Sequence, residues 1–226
     1  MEIAGIGTFS VDADSGWIRC DGWRTDAAAA LFEEVLLGPP VALLLAGRDI
    51  WCLHASAVLF KGRALLFLGP SGCGKSTLAA HCAEHAGLLR LADDILPCAL
   101  VDAVPSAQPS FPQLKLPEAA QYPPRARGSV PIGALLFLDP APLGGQVAVE
   151  ALAIRAAMKR LVEQTVAVGL FDRWLHQQQL RFLSDLISLV PAFLLHYPHE
   201  RGRLPEVRDA VTDLARRCRA TEGPRA

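Results

Sequence analysis

Five consecutive apolar residues, Ala64-Leu65-Leu66-Phe67-Leu68, mark the clearest short hydrophobic run in the chain. An unbroken run of that length predicts a strand buried on both faces. It gives way to the glycine-rich stretch Gly69-Pro70-Ser71-Gly72-Cys73-Gly74, after which Ser76 to Ala83 reads as a helix that ends near Gly87. Upstream, the β-rich segment Trp51 to Val58 leads through the turn Lys61-Gly62 into the same strand, the pattern of a hairpin. Downstream, Leu88-Leu89-Arg90-Leu91-Ala92 predicts a strand that stops at the paired carboxylates Asp93 and Asp94. Ile132 to Leu138 predicts a further buried strand, with Val147 to Leu152 pairing to it across the Gly144-Gly145 turn. Ile154 to Leu189 predicts two helices broken near Gly169, with Leu161, Leu170, Trp174, Leu183, Leu186 and Ile187 on inner faces. Ala192 to Tyr197 completes the strands and Pro205 to Arg217 the helices.

Before Trp51 the pattern is less regular. Trp17 to Cys20 predicts a short strand, Ala27 to Leu37 an alanine-rich helix, and an apolar run then extends to Arg48. Residues 1–50 therefore read as a short N-terminal β/α appendage packed on the core, and residues 51–226 as the main domain. The element order is α/β in class, a mixed β-sheet with flanking helices and a C-terminal helical cluster. Prolines at 105, 109, 112, 117, 123, 124 and 131, with Lys115, Arg125 and Arg127 among them, predict an irregular surface loop over 103–131, and loops of that length are often functional.

Composition narrows the function classes. The 226 residues are 51% hydrophobic with a net charge of −1. Scattered Lys and Arg give no general grip on nucleic acid. The apolar stretch from Leu36 to Gly47 is too short to span a bilayer, and Met1-Glu2-Ile3 lacks the basic start of a signal peptide, so the expectation is a cytoplasmic protein without a membrane partner. The six cysteines show no CxxC pair and read as reduced thiols, most of them buried.

The chemistry sits in Gly69 to Thr77, which spells a P-loop between strand and helix as that motif requires. Its glycines let backbone N–H groups of Gly69, Ser71, Gly72, Cys73, Gly74, Lys75, Ser76 and Thr77 turn around phosphate oxygens, and the helix N-terminus adds its positive end. Lys75 would reach the β- and γ-phosphates of ATP, and the Ser76 hydroxyl would bind Mg²⁺. Of Asp93 and Asp94, one would bind the Mg²⁺ and the other take a proton from an attacking hydroxyl; adjacency also raises the pKa of such a pair, which suits a base. Asp94 joins Ser76 as the metal candidate. His54, fifteen residues before Gly69, falls near the phosphate end of the sheet if the hairpin pairs as expected, where it could tune the carboxylate. Cys73 reads as a small packing residue, with the added expectation that a thiol at a helix N-terminus has a lowered pKa.

The ordered set Leu53-His54-Ala55-Ser56-Ala57-Val58, Gly62-Arg63-Ala64, the P-loop and Leu91-Ala92-Asp93-Asp94 resembles the bacterial HPr serine kinase family, particularly its shorter HPr-kinase-related branch. The resemblance covers Leu53 to Asp94 firmly and continues weakly through Leu114-Lys115-Leu116, Val130 to Leu138 and Val190 to Leu195. It implies a P-loop fold of the HPr-kinase/phosphoenolpyruvate-carboxykinase type, ATP bound by Gly69 to Thr77, Mg²⁺ on Ser76, proton transfer by Asp93 or Asp94 and assistance from His54. It leaves room for a homo-oligomer. The family's kinases proper carry a large additional N-terminal domain. Its Glu-x-Arg-Gly stretch would fall on Arg125-Ala126-Arg127-Gly128, where a cation replaces the carboxylate, and its Pro-Gly-Arg-Asn run has no evident counterpart. The resemblance thus carries the ATP chemistry and not the HPr substrate. Members of the shorter branch are associated with natural-product precursor peptides, so the expected reaction is phosphorylation of a serine in a peptide or small protein, with Arg125 or Arg127 closing over the transition state. A small-molecule hydroxyl acceptor and a non-catalytic, nucleotide-gated regulatory module are the alternatives, and guanine in place of adenine stays open.

Overall fold

Alternation of side chains along two central strands divides the core in two. In β5 (Arg63–Leu68), Leu65 and Phe67 face one way while Ala64, Leu66 and Leu68 face the other; in β8 (Val130–Ala141), Ala134, Leu136 and Leu138 oppose Leu135 and Phe137. Strands apolar on both sides demand a helical layer on each, and both layers are present. The computed structural model describes residues 1–3, 6–22, 29–109, 111–113, 128–141 and 144–220.

On one face, α3 (Lys75–Ala86) packs beside α6 (Leu204–Ala220) through Leu78, Ala79, Cys82, Val207, Val211 and Leu214. On the other, α4 (Ile154–Glu163) and α5 (Arg173–Leu189) contribute Ala157, Leu161, Phe182, Leu183 and Leu186, and Ala46 enters from α2 (Pro39–Ala46). The expected C-terminal helical cluster is therefore divided, α6 siding with the helix that follows the glycine-rich loop.

Between these layers, β4 (Trp51–Phe60) lies antiparallel to β5 and to β6 (Leu89–Val101), and β6 pairs antiparallel with β7 (Val104–Ala107). The first residues of β8 pair with β7, and its middle runs parallel to β5, so β5, β4, β6, β7 and β8 form a closed ring of neighbours. β8 also carries β10 (Ala192–Pro198) in parallel, and β9 (Ala148–Ala151) finishes that edge. A separate three-stranded antiparallel sheet, β1 (Glu2–Ile3), β2 (Gly7–Asp12) and β3 (Trp17–Asp21), precedes α1 (Ala29–Leu37) and α2.

Four expectations change. β6 does not stop at Asp93-Asp94 but runs through them to Val101, because Leu96 and Cys98 continue a buried face. β9 pairs with β10 and not with β8, whose two edges in that stretch are already taken by β5 and β10. The stretch 103–131 is not wholly irregular, since β7 lies at its start and β8 begins at Val130. Leu170 and Trp174 face outward, 40% and 52% exposed, because Phe171 and Phe182 fill the inner positions against Trp51, with ring centroids 5.8 and 6.4 Å away. Lys115, Arg125 and Arg127 lie outside the described residues. No helix among the described residues is long and apolar enough to cross a membrane.

Candidate active site

Strand register assembles the site. In the β4–β5 hairpin Ala55 lies opposite Leu68, so His54 stands one step beyond, level with Gly69. On the other side of β4, Ala55 lies opposite Asp94 and Ser56 opposite Asp93. Antiparallel pairing thus brings the start of β4, the end of β5 and the middle of β6 to one end of the sheet. β8 and β10 run parallel to β5 and finish at that same end, the place where α/β sheets bind ligands.

The loop between β5 and α3 depends on two glycines. Gly69 has φ +148, and a Cβ there would come within 2.9 Å of Cys73 Sγ; Gly74, the residue before α3, has φ +96. Other residues at these positions would strain the backbone. Inside the loop, the Cys73 amide donates to Pro70 O at 3.3 Å and the Lys75 ammonium donates to Gly69 O at 2.7 Å and Pro70 O at 3.1 Å. Lys75 is buried, while Ser76 and Thr77 beside it are exposed at the start of α3. Tyr197, from the end of β10, donates its hydroxyl to Cys73 O. Burial pushes the Tyr197 pKa up, which keeps it a donor.

Cys73 is the packing residue expected, but its thiol is not acidified by the helix N-terminus. Its Sγ packs beneath Gly69 in the apolar cluster, and burial raises the thiol pKa more than Lys75 lowers it. In native protein treated with iodoacetamide at pH 7.5, Cys20 and Cys218, both half-buried, should alkylate well before Cys73; peptide mapping by mass spectrometry reads the order, and labelling of Cys73 as fast as Cys20 would refute it.

The two aspartates do not share one environment. Asp93 is buried, its Oδ1 accepting from Ser56 Oγ at 3.0 Å and its Oδ2 paired with Arg90 Nη2 at 2.8 Å. Asp94 is half-buried and reaches His54, with Nδ1 to Oδ1 at 3.1 Å. The two adjacent carboxylates thus have separate partner sets. Asp94 adopts φ +136, rare for any residue but glycine, and such a conformation costs on the order of 1–3 kcal/mol. Strain of that kind collects where a side chain must be aimed against the ordinary pleat.

His54, Ser56, Asp94, Lys75, Ser76 and Thr77 line one cavity of about 490 Å³, in the size range of small-molecule sites. Asp93 is not on its wall. The turn from β10 into α6 also lines the cavity, through Tyr197, Pro198, His199 and Arg201, which sequence reasoning missed. A signal existed: a polar stretch rich in His and Arg after the final strand, at the carboxyl end of a sheet, is where a ligand wall belongs. Gln164 was also missed. Its Oε1 accepts from the Gly69 amide at 3.3 Å and its carbonyl accepts from the His54 amide at 2.7 Å, so one residue fixes both ends of the site.

Among the described residues no cluster of three His, Cys, Asp or Glu side chains could enclose a metal ion. Mg²⁺ commonly takes only one or two protein ligands alongside phosphate oxygens and water, and the exposed Ser76 hydroxyl and the Asp94 carboxylate on one cavity wall fit that donor set.

No protein-family model matches the chain, and no curated protein matches it. Among solved structures, the HPr(Ser) kinase/phosphatase from Coxiella burnetii aligns over 76% of this chain and 99% of its own, with 11% sequence identity and a TM-score of 0.40.

Proposed function

We propose that the chain is an ATP-dependent kinase that transfers the γ-phosphoryl group to a serine hydroxyl of a peptide or small protein, through a P-loop fold of the HPr-kinase type. The observation that carries this reading is the register that puts the strained Asp94, its partner His54 and the glycine-rich loop on one cavity. A nucleotide sensor needs the loop; it does not need a proton acceptor aimed into the same space.

Within the proposal, amides of residues 69–77 and the α3 N-terminus hold the phosphates, Lys75 neutralises charge on the β- and γ-groups, and the Ser76 hydroxyl would hold Mg²⁺ while Asp94 serves as the base. Magnesium supplies charge neutralisation across the phosphates. His54, with its proton on Nδ1, donates to Asp94 Oδ1 and orients the carboxylate. The serine O–H proton passes to Asp94 as Oγ bonds to the γ-phosphorus, and the bond from that phosphorus to the β-bridging oxygen breaks, its electron pair leaving on ADP. Asp93 stands behind this residue and holds the strand in place. Arg201, which lines the same cavity, supplies positive charge toward the phosphates.

Purified protein with Mg²⁺, γ-labelled ATP and candidate serine-containing peptides tests the reading, beside Lys75→Ala. Label on a peptide serine that disappears in Lys75→Ala supports it. Label on a small hydroxyl compound alone would move the acceptor class, and tight ATP binding without transfer to either would make the chain a nucleotide-gated module.

A further inference from the structure

Among the described residues, β6 has only one neighbouring strand at Asp94. β4 pairs with Asp93, Asp94 and Ile95 along one edge, but β7 begins pairing on the other edge only at Cys98. A buried backbone edge must still satisfy its polar groups. Here a side chain does so. Gln113 accepts the Asp93 amide on Oε1 at 2.8 Å and donates Nε2 to Ile95 O at 3.0 Å. The same Nε2 reaches Phe111 O at 3.2 Å, which ties the amide to its own segment. Gln113 is 5% exposed, so water does not compete for these bonds.

Those two backbone groups flank Asp94 on either side. One carboxamide therefore bridges the peptide before Asp93 and the peptide after Ile95, fixing both ends of the three-residue span that has Asp94 at φ +136 in its middle, in the place a neighbouring strand would occupy. Released from the clamp, the peptide planes could rotate toward an ordinary extended conformation, and the Asp94 side chain would turn away from His54. Only a residue with an acceptor and a donor on one planar group, at this reach, can hold both.

We propose that Gln113 is a positioning residue for Asp94, holding the strained backbone that aims the carboxylate at His54 and the phosphate loop. The proposal rests on the reading of Asp94 as proton acceptor for its functional consequence, and on geometry alone for its structural one. It also makes the state of the catalytic carboxylate answerable to the chain segment that carries Gln113.

Full-length Gln113→Ala and Gln113→Glu, compared with wild type and Asp94→Asn, test it. Glutamate keeps an acceptor for the Asp93 amide and loses the donor to Ile95 O. Three measurements are made on folded protein: the His54 side-chain NMR signal at one pH, Mg²⁺-ATP affinity by calorimetry, and ATP turnover with water as acceptor. In Gln113→Ala the His54 signal should move toward its position in Asp94→Asn, turnover should fall on the order of tenfold, and ATP affinity should stay within about twofold. Gln113→Glu should lie between. An unmoved His54 signal in both variants overturns the proposal, as does a loss of ATP affinity that matches the loss of turnover. If wild type turns over no ATP, the function proposed for Asp94 fails, while the His54 signal still decides whether Gln113 positions it.

Discussion

Asp94→Asn is expected to cost two to four orders of magnitude in phosphoryl transfer while leaving Mg²⁺-ATP binding nearly intact. The amide keeps the shape of the carboxylate and its contact with His54, yet it cannot take the hydroxyl proton, and general-base contributions are typically 10²- to 10⁴-fold. Asp94→Gly sharpens the same test from the side of stability. Glycine adopts φ +136 without strain, so the fold should gain about 1 kcal/mol as activity disappears. Thermal melting and single-turnover transfer from γ-labelled ATP together read both effects. Turnover within threefold of wild type in Asp94→Asn would remove the catalytic role and favour a nucleotide-gated module.

Asp93→Ala should do the reverse. Its carboxylate accepts from Ser56 and pairs with Arg90 in a site where both side chains are largely screened from water, so truncation leaves a buried guanidinium without its charge partner. Breaking such a pair costs about 3–5 kcal/mol, which for a domain of this length lowers the melting temperature by roughly 6–20 °C. Activity per folded molecule should survive below that temperature far better than in Asp94→Asn. A melting temperature within 2 °C of wild type would show that Asp93 is not the structural member of the pair.

Much of this arrangement was legible in the chain. The hairpin Trp51 to Leu68, the loop glycines and the helix after them are local features, set by apolar runs, turn residues and caps, and the structure has all of them. The level of His54 with Gly69 followed from hairpin arithmetic. The division of labour between Asp93 and Asp94 did not, because it depends on Arg90 and Ser56 reaching one carboxylate and on a positive φ turning the other. Neither effect has a sequence signature, since Asp at φ +136 looks like any other Asp. Gln113 and Gln164 were invisible for a related reason: a glutamine announces nothing until its amide is seen beside backbone groups that lack a strand. Trp174 misled by its type, because the apolar pattern of a helix's first turn says little when Phe171, just before it, takes the inner place.

The ring of five strands has a consequence for how such a protein could change over time. β7 meets β8 at two residue pairs, Ser106 with Pro131 and Ala107 with Val130, so the stretch that joins them leaves and returns at neighbouring points of one ladder. Closing a longer stretch between fixed ends costs only about 0.6 kcal/mol for each doubling of length. Residues gained or lost after Gln113 and before Val130 would leave His54, Asp94 and the phosphate loop in place, because those are held by β4, β5, β6 and the Gln113 amide. The strands that carry the candidate site are thus separate from a connection whose length can change beyond Gln113, and under the proposed function a lineage would acquire new acceptors by editing that stretch alone.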